Sequence, residues 1–321
     1  MLDGQNRTID YLRISVTDRC DLRCVYCMPE EGVKPLCHEK LLTYEEIVRL
    51  CRIFASLGVH RMRLTGGEPL ARLGVADLAR QIKAIDGVDR LDMTTNGMQL
   101  SAALPALAEA GLDSVNISLD TTDEAIFERI TRRKGVDKVL RAIDDACATP
   151  NLTVKINTVP SDLNAASFCD MAELSARKGI PVRFIELMPI GEGGRLDRWD
   201  EERVKGVLEA KFGPMTRKLP VDPMEKCRYF TLPNGAAIGF ISAVSHKFCA
   251  TCDRIRLTAE GYLKTCLQYD TGVELKPLLD RSDEELREII AQAVRQKPLG
   301  HHFGQMNEGQ DETRRMSQIG G

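Results

Sequence analysis

The sequence lacks any apolar run approaching the roughly 18 residues that cross a bilayer, which excludes a helical membrane span. It has no G-x4-G-K-[ST] phosphate loop, so an ordinary P-loop hydrolase is not indicated. Positive charge is not in excess. Lys and Arg number 44 against 47 Asp and Glu, a formal charge of −3, which argues against a general nucleic-acid binder while allowing a local basic pocket. The opening Met1-Leu2-Asp3-Gly4-Gln5 has no basic-then-apolar signal pattern, so a cytoplasmic protein is expected. Internal repeats and low-complexity tracts are also missing. What is present is ordinary for a globular protein: 321 residues, 43% hydrophobic and 28% charged, enough for a sizeable core and for about two domains at roughly 150 residues each. Cysteine is the exception. There are 11, an odd number without a secretory signal, which points away from a disulfide framework and toward metal or redox chemistry.

From Tyr11 to about Met188 short β-rich runs alternate with helical patterns. Strands are expected at Tyr11–Val16, Val59–Leu64, Leu91–Thr95, Ser114–Leu119, Leu152–Val159 and Val182–Leu187. Helices are expected at Tyr44–Leu57, Val75–Ile85, Ala102–Ala110, Asp123–Ile130, Val136–Ala148 and Ala165–Lys178. Thr43 to Glu46 and Thr121 to Glu124 read as capping boxes, and Gly58, Gly111 and Gly179 fall at helix C-termini. Six βα units imply an α/β fold with a parallel sheet, either an open, incomplete barrel or a doubly wound sheet. After about Gly191 the pattern changes. A helix at Glu201–Lys211 precedes short strands at Arg228–Leu232, Ala236–Ser242, Ile255–Thr258 and Tyr262–Thr265, the last two forming a hairpin. A final helix spans about Asp283–Gln296, capped by Ser282 and Glu285. The expected division is 1–190, 191–298 and a tail, 299–321, without clear period.

Five cysteines, Cys37, Cys51, Cys147, Cys169 and Cys227, are scattered and read as small buried hydrophobes. The other six form two sets. Cys20, Cys24 and Cys27 are spaced C-x3-C-x2-C just after the first strand; Cys249, Cys252 and Cys266 are spaced C-x2-C-x13-C. Three thiolates leave one iron of a four-iron cube open, whereas a structural zinc needs a fourth ligand. His38 could complete the first set and His246 the second, so spacing alone leaves zinc open. Thr65-Gly66-Gly67-Glu68-Pro69, Thr94-Thr95-Asn96-Gly97 and Ser118-Leu119-Asp120 lie at the C-terminal ends of expected strands, where parallel α/β folds place active sites.

Cys20-Asp21-Leu22-Arg23-Cys24-Val25-Tyr26-Cys27 resembles the signature of the radical S-adenosylmethionine (SAM) superfamily, and Thr65 to Pro69 resembles its SAM-lining segment. With Cys252-Asp253-Arg254-Ile255-Arg256-Leu257-Thr258 and the terminal Ile319-Gly320-Gly321, the whole chain is similar to the radical SAM GTP 3′,8-cyclases of molybdenum-cofactor biosynthesis. The resemblance implies an incomplete (β/α)6 TIM-like barrel with a C-terminal α+β extension, two [4Fe-4S] clusters on the two cysteine sets, and a lyase making (8S)-3′,8-cyclo-7,8-dihydroguanosine 5′-triphosphate. It assigns SAM to Tyr26, Gly67, Ser118 and Met188. It assigns GTP to Arg13, Arg63, Thr94, Lys155, Arg254, Ile255 and Arg256, with Arg61 and Arg183 joining them at the phosphates.

The resemblance also implies an external one-electron reductant, a downstream cyclic pyranopterin monophosphate synthase, a homodimer, and a Gly320-Gly321 tail reaching the active site. No conventional acid, base or nucleophile is expected. Asp253 stands where the family more often has Asn. The residues themselves fit this picture: cations spaced two apart on strands share a face, and pooled arginines repel by about 2 kcal/mol per pair at about 8 Å unless an anion fills the site. Two rivals stand beside it, a peptide-modifying radical SAM enzyme whose second cluster relays electrons, and a non-catalytic zinc module.

Overall fold

The structure, a computed structural model, describes residues 1–218, 226–303 and 312–320. Six strands, β1 (Tyr11–Ser15), β2 (Arg61–Thr65), β3 (Arg90–Thr95), β4 (Ser114–Ser118), β5 (Thr153–Thr158) and β6 (Val182–Ile185), pair in parallel in chain order. Between them run α1 (Tyr44–Ser56), α2 (Val75–Lys83), α3 (Leu100–Glu109), α4 (Glu124–Thr131), α5 (Val136–Ala148) and α6 (Phe168–Lys178). The second region adds α7 (Glu201–Phe212), β7 (Thr216–Lys218), β8 (Arg228–Thr231), β9 (Ala237–Ile241), β10 (Arg254–Leu257), β11 (Tyr262–Lys264), β12 (Gly272–Glu274), α8 (Asp283–Arg295) and α9 (Met316–Ile319).

The two regions share one sheet, ordered β12-β11-β10-β1-β2-β3-β4-β5-β6-β9-β8-β7. β10 docks in parallel on β1 and β9 in parallel on β6, so the six-strand core is extended by one parallel strand on each side. Antiparallel strands then finish both edges, and the sheet stays open. The open-barrel expectation holds. The expected hairpin is β10–β11, and the edge strands β7 and β12, three residues each, carry too little pattern to be read from sequence.

Residue alternation gives this sheet two unlike faces. Leu12, Ile14, Met62, Leu64, Leu91, Met93, Val115 and Ile117 are buried in the hydrophobic core with the helices. The intervening positions, Arg13, Arg63, Asp92, Thr94, Asn116 and Ser118, line a cavity instead. A tightly closed barrel fills its interior with branched apolar side chains; a polar inner row belongs to a barrel that holds something else.

Helix starts follow local chemistry. Thr43 and Ser282 form full capping boxes, each accepting from the backbone of the glutamate three residues on. Thr121 does not cap. Asp123 caps α4, accepting from Ile126 N at 2.8 Å, while Thr121 Oγ1 accepts from Asp123 N and meets Ser167 Oγ. Glu124 instead accepts from Gly135 N and Val136 N, both at 2.9 Å, at the start of α5. The scattered cysteines also need correction: Cys51 and Cys227 are buried, but Cys169 is half-buried and Cys37 and Cys147 are exposed.

Candidate active site

All six clustered cysteines line one cavity of about 560 Å³ at the C-terminal ends of the parallel strands. The loop after β1 turns tightly, with Cys27 N and Met28 N both donating to Cys24 O. Arg23 donates to Cys20 O at 2.5 Å, and Arg132 straps the loop from α4 by donating to Arg23 O and Met28 O. The second set is held from the other chain end. Arg7, paired with Asp3 at 2.7 Å, donates to Cys249 O at 2.8 Å, and Lys297 donates to Arg254 O at 2.8 Å and to Thr265 O beside Cys266. The β10–β11 hairpin returns Cys266 to the same wall as Cys252.

Burial pushes the Cys20 thiol up to about 12 and the Cys27 thiol up to about 11, and a metal bound as thiolate would displace those protons. Among the described residues no group of three His, Cys, Asp or Glu is drawn together as a single-ion site. His38 and His246, the two possible zinc partners, are exposed and outside the cavity wall. Two sets of three soft thiol donors are a donor chemistry that fits iron–sulfur ligation.

Tyr26, Gly67, Ser118 and Met188 all line the cavity. A Cβ at Gly67 would lie 2.3 Å from Arg19 O, and one at Gly66 2.5 Å from Thr17 O, so only glycine lets this turn lie against the cysteine loop. Two buried carboxylates, read from the sequence only as members of the Thr65–Pro69 and Ser118–Asp120 runs, organise this side. Glu68 accepts from Thr95 Oγ1 at 2.7 Å, Asn96 N at 2.7 Å and Leu70 N at 3.0 Å, and burial raises it to about 7. Asn96 in turn donates to Asp21 at 2.6 Å beside Cys20. Asp120, raised by burial to about 6, accepts from the Tyr26 hydroxyl at 2.8 Å and Val159 N at 2.7 Å.

Strand register assembles the cationic side. Arg256, Arg13, Arg63 and Asp92 stand abreast on β10, β1, β2 and β3; Arg254, Tyr11, Arg61 and Arg90 form the row beside them. Thr94, Asn116 and Lys155 continue across β3 to β5, and Arg183 on β6 donates to Asn157. Arg13, Arg61, Arg63, Thr94, Lys155, Arg183, Arg254 and Arg256 line the cavity. Ile255 does not: strand alternation turns its side chain into the core. The pooled charge is partly offset. Asp92 pairs with Arg63 at 2.7 Å and Arg90 at 2.8 Å, while Asp253 lies 3.9 Å from Arg61 and 3.5 Å from Arg254. Burial and the neighbouring Arg256 still push Arg13 well below its ordinary value, and burial beside Arg254 brings Arg256 down to about 10. Burial would raise the Tyr11 phenol, but Arg63 and Arg13 outweigh it and lower it.

The tail reaches the same cavity. Met316 and Ser317 line it, and Gly320 O accepts from Arg256. Gly321 lies outside the described residues.

Residues 14–174 match the family model of the Radical SAM superfamily, and residues 180–303 match Molybdenum Cofactor Synthesis C. The chain is 43% identical, over the full length of both proteins, to a GTP 3′,8-cyclase from Desulforamulus reducens. It is 42% identical to the mitochondrial GTP 3′,8-cyclase of Arabidopsis thaliana, covering all of this chain and 83% of that one. The chain belongs to the GTP 3′,8-cyclase family. Within this family assignment each matched region carries one cysteine triad. The cyclase fold also resembles Streptococcus suis SuiB bound to S-adenosylmethionine, with a TM-score of 0.65 and 14% identity over 90% of this chain and 68% of that one. Among the described residues no helix is long and apolar enough to cross a membrane.

Proposed function

We propose that this chain is a radical SAM lyase converting GTP to (8S)-3′,8-cyclo-7,8-dihydroguanosine 5′-triphosphate, an early step of molybdenum-cofactor biosynthesis. The observation that carries this reading is that two cysteine triads and a strand-borne arginine array line one cavity. Cys20, Cys24 and Cys27 would hold one [4Fe-4S] cluster, and Cys249, Cys252 and Cys266 a second. Bound there, the first cluster would supply one-electron cleavage of SAM; loss of hydrogen from C3′ of GTP and formation of the C3′–C8 bond would then need one further electron from the external reductant and one proton to give the dihydro product.

The protein's own work is positioning. Asp120 orients Tyr26, and Glu68 fixes the Thr95–Asn96 turn against the cysteine loop, so the SAM side is set before ligand arrives. Arg13, Arg61, Arg63, Lys155, Arg183, Arg254 and Arg256 bring cationic donors to the GTP side, where guanidinium forks suit phosphate oxygens. Thr94 joins them as a polar contact, and Ile255 contributes through its backbone. The tail through Gly320 helps to shield the site from water. The enzyme works in the cytoplasm as a homodimer. It draws on an external one-electron reductant and hands its product to cyclic pyranopterin monophosphate synthase.

Anaerobic reconstitution tests this reading. Wild type should hold about eight irons, and a Cys249→Ala/Cys252→Ala/Cys266→Ala variant about four. Mass spectrometry should show a cyclic isomer of GTP that disappears with the second cluster. Zinc in the second site, or SAM cleavage with GTP untouched, refutes the assignment.

A further inference from the structure

Five guanidiniums, those of Arg13, Arg61, Arg63, Arg254 and Arg256, stand on three adjacent strands. Two buried carboxylates face them, and the two differ in how they are engaged. Asp92 is committed: its oxygens accept from Arg63 and Arg90 at 2.7 and 2.8 Å. Asp253 is 1% exposed and its carbonyl is pinned to β1 by Tyr11 N at 3.2 Å. Its carboxylate sits within ion-pair reach of Arg254 at 3.5 Å and Arg61 at 3.9 Å, distances too long for good hydrogen bonds. Among the described residues Asp253 Oδ1 accepts no hydrogen bond and Arg254 Nε donates none. A buried carboxylate in that state offsets charge while leaving the Arg254 Nε it faces unsatisfied.

We propose that Asp253 is an internal counterion that competes with the substrate phosphates for Arg61 and Arg254, and thereby sets how tightly the site holds a nucleoside triphosphate. It rests on the nucleotide reading of the same cavity. With the site empty, the carboxylate limits repulsion among the arginines. When a polyphosphate enters, the same negative charge opposes it across a poorly solvated gap, so the bound state is weaker than five guanidiniums alone would make it. The opposition grows with ligand charge. Asp253 is a positioning and affinity-setting residue and takes no part in bond making.

The test is equilibrium binding to cluster-loaded protein, anaerobic and without SAM or reductant, so that no turnover occurs. Asp253→Asn should bind GTP and inorganic tripolyphosphate about tenfold more tightly than wild type, with a smaller gain for GMP. Asp253→Glu, which keeps the charge, should stay within about twofold of wild type. A merely structural role predicts the opposite, weaker binding of all three ligands in the Asn variant, and that result, or no change, overturns the proposal. If the Asn variant fails to fold, Asp253→Ser removes the same charge and decides by the same titration. Tighter tripolyphosphate binding with no added affinity for GTP over tripolyphosphate in either protein would sustain the counterion and overturn the GTP assignment.

Discussion

Arg63 and Asp92 stand in register on adjacent parallel strands, joined by a 2.7 Å ion pair with both side chains buried. Burial alone would raise the Asp92 carboxyl, but Arg63 and Arg90 outweigh it and hold it below its ordinary value. A depressed carboxyl contributes stability above its unfolded pKa and loses it as pH falls through the folded value. Asp92→Asn should therefore cost about 3 kcal/mol in urea unfolding at pH 7. The gap from wild type should shrink below about pH 4. A constant gap across pH would show that the ion pair is not its source.

Glu68→Gln should leave the fold standing and loosen the SAM side. The amide can accept through one oxygen only, so one of the three donors Thr95 Oγ1, Asn96 N and Leu70 N meets an NH2 group. Above about pH 8, where Glu68 is ionised, a lost hydrogen bond to a buried charged group is worth about 2 kcal/mol, or some thirtyfold in SAM affinity if all of it falls on binding. Equilibrium SAM binding to the reconstituted protein checks this, and an unchanged affinity would assign Glu68 to folding alone.

Gly320→Ala should expel the tail. Gly320 has φ +77°, and an added Cβ would sit 2.5 Å from Ser15 Oγ and 2.9 Å from Thr65 Oγ1. Turnover should fall by at least about tenfold while the thermal midpoint stays near wild type, because only the chain end moves. Replacing Ser15 by Gly in the same protein relieves the closer contact and should return part of the activity.

Lys264 and Glu312 form a fully buried ion pair, with Lys264 also donating to Tyr269 O at 2.7 Å. Glu312→Gln leaves an unpaired buried ammonium and should cost about 3–5 kcal/mol, whereas Lys264→Met with Glu312→Leu should recover much of it. Thermal unfolding measures the first effect. Limited proteolysis after Arg314 and Arg315 measures whether the tail has come loose.

Local patterns made the six βα units readable because apolar residues repeat at the strand and helix periods, and the α1 and α8 caps because their bonds span three residues. The cap of α4 was misread because Thr121 and Asp123 are both able caps, and packing against Ser167 decided between them. Spacing grouped the cysteines of each triad but said nothing of burial for Cys37 or Cys147. Strand alternation placed Arg254 and Arg256 on one face; the same rule turns Ile255 away, which the resemblance did not show. Arg61 on β2 and Asp253, just before β10, are far apart in sequence, and no local window holds their pairing.

β1 takes β2 on one side and β10 on the other, so Tyr11 is paired with Arg254 across most of the chain. During synthesis the ribosome delivers the first thiol triad long before the strand that completes the arginine rows. A chain that stops short of Arg254 therefore carries Cys20, Cys24 and Cys27 without the arginines that β10 adds to the cavity. Because β10 pairs directly with β1, the first strand's polar face is completed only by residues from the far end of the sequence, a non-local closure of the kind that slows folding.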